Sequence, residues 1–355
     1  MDFTFSTEAD EAANLAASVF AGATGTEHLR TVEADCDRFD EALWASLGET
    51  GLLGLGVPEE HGGAGLGLIE VCRVLIEAGR TVAPVPLADH VAAAFTLAGL
   101  DPDSAHLESA ASGQGILTIA HAEPLDANPE RCETTNASTP DEPRLVGTKV
   151  LVRSPRRAAA ILVTAADGVY LVGAEADGLA WEDQHTSDGE AVGFLHLDNT
   201  PATRLGGSEA ATRVVEVLTV ARCAEQLGRL YGAQRLTAAY AATREQFGRP
   251  IGTFQAVSQR LADGYIDVLG AELCLWQAAW LLDEGLPAGT EVAVAKLWAA
   301  DSGHRVAHTT VHVHGGVGID LDGEAHRYFT GLKRGEFELG GTTAQARRIG
   351  ASLRR

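Results

Sequence analysis

Two groups of residues in the C-terminal half have the types and spacing of an anion site. The first is Arg244-Glu245-Gln246-Phe247-Gly248-Arg249-Pro250-Ile251, followed by Phe254-Gln255. The second is Val311-His312-Val313-His314-Gly315-Gly316-Val317-Gly318. An arginine offers a planar, bidentate cation, and a Gly-Gly pair lets backbone N–H groups approach a diphosphate with no Cβ in the way. Together the two groups have the chemistry of half a dinucleotide site. Taken singly, each has a plainer reading: an ion-pairing surface arginine, and a Gly-Gly turn that ends a helix. His304, His308 and His312 recur at i, i+4 and i+8, which places imidazoles on one helical face as zinc ligands would be. No cysteine or carboxylate stands at matching spacing, so no metal is expected.

The elements that must position these groups follow from composition and pattern. The chain has 355 residues, with 49 Asp+Glu against 27 Lys+Arg and a net charge of −22. That balance argues against nucleic acid as a partner, because a phosphate backbone would be repelled. No apolar run approaches the roughly 20 residues that span a bilayer, so no membrane partner is expected. The acidic start, Met1-Asp2-Phe3, is unlike a secretory leader. Cysteines 36, 72, 132, 223 and 274 are odd in number and scattered, which fits reduced thiols in a cytoplasm.

Texture changes twice along the chain. Residues 1–112 read as an N-terminal α-helical domain, with Ser6-Thr7 and Asp40 in N-cap positions and a glycine-rich loop over 51–67. Residues 113–205 read as a middle β domain, a small barrel or sandwich, with strands near 115–121, 144–152, 159–163, 169–172 and 193–197. The polar stretch 126–143 reads as a mobile loop. From 206 to 355 long helices return. Val214, Val217, Ala221, Ala224, Gly228 and Tyr231 form one buried stripe, and Val257 to Leu275 form another. With helices around 290–314 and 342–353 they predict a C-terminal four-helix bundle. The fold class is α+β, in the order α, β, α.

On these residues the chain resembles the flavin-dependent acyl-CoA dehydrogenases. The segment Arg244–Gln255, the segment Val311–Gly318 with His326-Arg327-Tyr328, and the turn Val57-Pro58-Glu59-Glu60-His61-Gly62-Gly63 match three family motifs in order. The resemblance implies the acyl-CoA dehydrogenase fold, an FAD cofactor and an acyl-CoA substrate, with electron-transfer flavoprotein as redox partner. It implies that Arg244, Phe247, Gln255, His312, Gly315 and Gly316 hold the ADP half of FAD across a subunit interface.

The family's catalytic carboxylate is missing from both places where it belongs. Near the last helix the count falls on Leu339 or Gly340, and on the first bundle helix it falls on Leu218. Glu338 and Glu225 are the nearest acids of interest, each displaced along its element. The strand that lies against the flavin ring, Trp-Ile-Thr in the family, reads Leu151-Val152-Arg153, and the preceding Thr-Glu-Pro motif survives as Ala122-Glu123-Pro124. In this asymmetry the chain is similar to the base-lacking subunit of actinobacterial α2β2 acyl-CoA dehydrogenases that shorten steroid side chains. A homologous partner subunit would then supply the glutamate and the ring pocket, and the scarce cations Arg235, Arg244, Arg249 and Arg260 would gather at the cofactor. Two other readings stand beside it: a self-sufficient homotetrameric dehydrogenase using Glu225 or Glu338 as base, and a scaffold subunit without flavin.

Overall fold

The computed structural model describes residues 4–35, 37–125, 132–138 and 142–354. Helices come first: α1 (Thr7–Ala23), α2 (Thr26–Glu33), α3 (Glu41–Glu49), α4 (Leu68–Arg80), α5 (Leu87–Leu100) and α6 (His106–Ala111). Ser6 caps α1 by accepting the Ala9 N–H, and Asp40 caps α3 by accepting the Leu43 N–H, as the sequence predicts.

Strands follow: β1 (Ile116–Ala120), β2 (Thr135–Asn136), β3 (Arg144–Arg153), β4 (Ala158–Ala165), β5 (Gly168–Gly173), β6 (Leu179–Gln184), β7 (Val192–Pro201) and β8 (Thr203–Gly206). They form two open four-stranded sheets, ordered β1-β4-β5-β8 and β2-β3-β7-β6. Ile161, Val163 and Tyr170 of the first sheet share a core with Leu145, Val152 and Leu195 of the second, so the domain is a sandwich. The stretch read as a loop over 126–143 contains β2, paired with Leu145-Val146. Residues 126–131 and 139–141 of that stretch lie outside the described residues, as does Cys36. Cys72, Cys132, Cys223 and Cys274 are free thiols.

The C-terminal region consists of α7 (Ser208–Thr243), a hairpin of β9 (Glu245–Gln246) and β10 (Arg249–Pro250), then α8 (Gln255–Asp283), α9 (Gly289–His314), α10 (Ala325–Phe337) and α11 (Thr342–Ser352). Helix α10 is an addition to the four expected helices. Its sequence is polar and carries Gly331 and Gly335, which hides it from pattern reading. Those glycines let it lie directly on polar side chains of α7: a Cβ on Gly335 would meet Gln226 Oε1 at 2.2 Å, and one on Gly331 would meet Arg229 Nε at 3.1 Å. Helix α4 crosses α7 at a similar close approach, where a Cβ on Gly228 would lie 2.0 Å from the Ile76 carbonyl oxygen. Among the described residues, α8 alone is long and apolar enough by composition to cross a membrane, and its Val268, Ala271, Leu275 and Leu282 are buried in the bundle.

Candidate functional site

The anion motifs sit together at one end of the bundle. Helix α7 ends at Arg244, whose N–H bonds the Tyr240 carbonyl, and α9 ends at Gly315. Tyr240 stacks on His314 with ring centres 4.3 Å apart, and Thr237 Oγ1 donates to Thr310 Oγ1 at 3.0 Å, so the two helix ends are held side by side. Phe247 and Gly248 form the tight turn of the β9–β10 hairpin, both with positive φ, at 55° and 78°. A non-glycine residue pays for that conformation, and Phe247 is nonetheless 93% exposed, making no core contact that would explain it. Gln255, His312, Gly315 and Gly316 are exposed as well. A Cβ on either glycine would meet nothing within 4 Å, so the backbone there is open to an outside ligand. These are residues that fit a diphosphate-bearing group. Arg235, Arg244, Arg249 and Arg260 are all exposed, and Arg249 lies over the Phe254 ring at 4.3 Å.

No acid stands at Leu218 or Leu339, the positions on which the family resemblance counts a carboxylate. Leu218 and Leu339 are buried among apolar side chains. Glu225 and Glu338, the displaced acids, are buried too, and both belong to one ion network. Arg153, Arg222, Arg229 and Arg334 face the carboxylates of Asp89, Asp188, Glu190, Glu225 and Glu338. Arg153 Nη2 donates to both Glu338 oxygens at 3.1 and 3.2 Å, and Arg153 Nη1 pairs with Glu190. Arg222 pairs with Asp89 and, at 2.8 Å, with Glu225. Arg229 bridges Glu225 and Glu190, each at 3.1 Å, and Arg334 bridges Asp188 and Glu190 at 3.1 and 3.2 Å. The network joins α5, the end of β3, the β6–β7 loop, α7 and α10.

Burial alone would raise the Glu338 carboxyl, but Arg153, Arg222 and Arg334 outweigh it and hold the group well below the usual range. Burial likewise opposes Arg229, Arg222 and Arg153 at Glu225, and the arginines win, holding it at about 2. A general base works best when its pKa lies near the operating pH. Carboxylates held this low, with their lone pairs already engaged by guanidinium, are poorly suited to take a proton from carbon.

The backbone of β3 is shaped to feed this network. Its pairing with β7 shifts register between Lys149 and Val152, and Leu151 adopts a positive φ of 56° with its N–H bonded to Gln184 Oε1 at 2.7 Å. Successive residues in a regular strand face opposite ways; here Val152 and Arg153 are both buried, at 1% and 2% exposure. Glu123, the remnant of the Thr-Glu-Pro motif, has a structural job: it accepts Lys149 Nζ at 2.7 Å and the Thr134 N–H at 2.9 Å.

Sequence reading singled out the exposed residues around the α7 and α9 termini and missed the network. A signal existed on α7: Arg222, Glu225 and Arg229, at i, i+3 and i+7, put charge on a helix that is otherwise apolar at its centre. The partners on α5, the β6–β7 loop and α10 carry no such signal. In the His304–His308–His312 row, His304 Nδ1 lies 3.1 Å from Glu336, and the described residues hold no group of three or more metal-type ligands. A cavity of about 910 Å³ lies between β4 and the bundle, lined by Thr164, Glu216, Thr219 and Arg348 among others, and shares no residue with the network.

Comparison with known proteins agrees with this architecture. Residues 7–99 match the model of the acyl-CoA dehydrogenase N-terminal domain, and residues 206–353 that of the C-terminal domain. The acyl-CoA dehydrogenase FadE27 of Mycobacterium tuberculosis is 42% identical, over 99% of both chains. A chain in the crystal structure of the ChsE4-ChsE5 complex from the same organism superposes with a TM-score of 0.95 at 42% identity, covering 100% of this chain and 99% of that one. A variant of the Tcur3481-Tcur3483 steroid ACAD gives 0.95 at 41% identity, over 98% and 97% of the two chains. Matched along nearly its whole length, the chain belongs to the acyl-CoA dehydrogenase family.

Proposed function

We propose that this chain is the subunit of a heteromeric acyl-CoA dehydrogenase that completes the FAD site without supplying the catalytic base. The observation that carries this reading is a division within one chain. The exposed diphosphate-fitting residues Arg244, Phe247, Gln255, His312, Gly315 and Gly316 are retained, while Leu218, Leu339 and Gly340 stand where a carboxylate is needed. FAD, when bound, supplies hydride acceptance. This chain's part is to bind and orient: the Arg244 guanidinium neutralises diphosphate charge, the Gly315–Gly316 backbone permits close approach, and Phe247 offers an aromatic face. Proton removal from the α-carbon of the thioester falls to a carboxylate of a homologous partner subunit.

The resemblance to complexes of two different gene products, among them a steroid ACAD, favours an α2β2 assembly acting on a bulky, steroid-like CoA thioester. Electron-transfer flavoprotein would then accept the electrons, and the assembly would work in β-oxidation. Expressed alone, the chain should be colourless or poorly flavinated; with a homologous dehydrogenase subunit it should form a tetramer with one flavin per heterodimer. A homo-oligomer of this chain with full FAD and ferrocenium-linked turnover would overturn the reading.

A further inference from the structure

We propose that a cavity of about 220 Å³, set where the α2–α3 loop, the β6–β7 loop, α7 and α10 meet, is a binding site for a small monocarboxylate held by Arg38 and Arg229. The site goes beyond the partner-subunit reading and does not depend on it. Every residue it uses belongs to this chain, and none belongs to the diphosphate-fitting group or to the places counted for a base.

Arg38 carries the argument. It is 8% exposed, and its Nε has no hydrogen-bond partner among the described residues. Its Nη2 lies 3.5 Å from the Val82 carbonyl oxygen and 3.6 Å from Glu33, contacts too long to compensate a buried guanidinium. Glu33 is already engaged by Arg327, which donates to it from Nε at 2.8 and 2.9 Å and from Nη2 at 2.6 Å. One carboxylate therefore stands beside two guanidiniums, and Arg38 is the one left over. Burial lowers the pKa of Arg38 from its usual value, with Glu33 and Asp188 offsetting only part of the effect.

Two further side chains on the same cavity have unused nitrogens. Arg229 gives Nη2 to Glu190 and Glu225, while its Nε is unbonded. Gly331 of α10 places no side chain over that atom, where a Cβ would lie 3.1 Å away. His326 Nδ1 is unbonded as well. Burial and the neighbouring Arg327 lower the His326 pKa, so its ring is a neutral hydrogen-bonding partner near pH 7. The backbone is strained at the same place: Arg38 and Val82, both lining the cavity, adopt positive φ of 43° and 53°. For a β-branched valine this is a true outlier, and such strain gathers at ligand sites.

The lining selects the ligand. A guanidinium edge takes a carboxylate as a bidentate fork. Asp188 and Glu190, matched by Arg334 and Arg153, face the same space and repel a second negative charge, which favours a monoanion over phosphate. So many ionisable groups also exclude an acyl tail or a sterol ring, whose burial needs apolar walls. The volume lies below the roughly 300 Å³ of drug-sized pockets and far above the roughly 15 Å³ that one water needs, so a carboxylate of a few carbons fits. Leu321, 73% exposed, marks the way in.

The test titrates sodium lactate by calorimetry into the assembly that this chain forms, with lactamide as the uncharged isostere and inorganic phosphate as the dianion. Lactate should bind saturably at concentrations on the order of millimolar and raise the melting temperature, because the site joins residues of all three regions. Arg38→Met in this chain should weaken lactate about 10- to 100-fold with assembly intact, as loss of charged hydrogen bonds predicts. Glu33 keeps Arg327 in that variant, so no carboxylate is stranded. If Arg38→Met does not assemble, Gly331→Ala, which sets a methyl group against Arg229 Nε, is read the same way. No saturable lactate binding by the wild type, equal binding of lactamide, tighter binding of phosphate, or unchanged affinity in the assembled variant overturns the proposal. None of these outcomes bears on the partner-subunit reading, which fails on turnover by this chain alone.

Discussion

His90 shows how much a single buried side chain contributes to the acid limit of this fold. It is fully buried on α5, where Nδ1 accepts the Leu117 N–H at 3.1 Å and Nε2 lies 3.2 Å from the Ala110 carbonyl. Burial lowers its pKa to about 4, so the folded state holds a neutral ring that the unfolded chain would protonate near 6.5. Its stabilisation is present above pH 6.5 and is lost as pH falls towards 4. Urea unfolding should show a loss of roughly 1 kcal/mol from this residue between about pH 7.5 and 5.5, absent in His90→Gln, whose amide can make both bonds. Glu225 behaves in the lower window: its carboxyl is depressed to about 2, so its contribution is present above 4.5 and disappears as pH falls towards 2. Arg222→Met removes a partner from both Asp89 and Glu225 and should cost about 3–5 kcal/mol in the same assay. A cost below 1 kcal/mol would mean that water already carries those carboxylates.

At the scale of elements, the network is placed by helix crossings that require glycine. Helices α4 and α7 meet at Gly79 and Gly228, where an added Cβ would sit 2.0 Å from the Glu225 and Ile76 carbonyl oxygens respectively. Gly228→Ala should therefore lower stability by roughly 1–3 kcal/mol, with faster amide exchange in α4 as the helices part. Unchanged exchange in α4 would show that the crossing tolerates a methyl group. The helices with long apolar stripes, α7 and α8, were legible in the sequence because their core faces repeat at the helical period. Helix α10 was not, because it lies on α7 and α9 partly through polar side chains, Gln226, Arg229 and Lys296 among them. Strands β6 and β8 escaped for a related reason: both are largely exposed and carry little apolar alternation.

Across the whole molecule, two sets of cations serve two ends. Acidic at −22, the chain keeps one set exposed around the α7 and α9 termini and buries another between its three regions. Arg244→Ala should leave assembly with a partner subunit intact and weaken FAD retention by about 10- to 100-fold, as loss of a charged hydrogen bond predicts. Flavin absorbance after size-exclusion chromatography reads this directly, and unchanged absorbance would favour the scaffold reading instead.

The sequence by itself determined the α, β, α order, the caps at Ser6 and Asp40, the bundle's core stripes and the family, because each depends on residues close together along the chain. It also carries no acid at Leu218, Leu339 or Gly340, where the family resemblance leads one to expect a carboxylate. Only the tertiary structure showed the buried ion network that Arg153, Arg222 and Glu338 share. Arg153, Arg222 and Glu338 are 69 and 116 residues apart in successive steps, and no local period links them. Their meeting depends on a kinked strand end and on glycine-spaced helix crossings, where the direction of a side chain is set by packing from elsewhere in the chain.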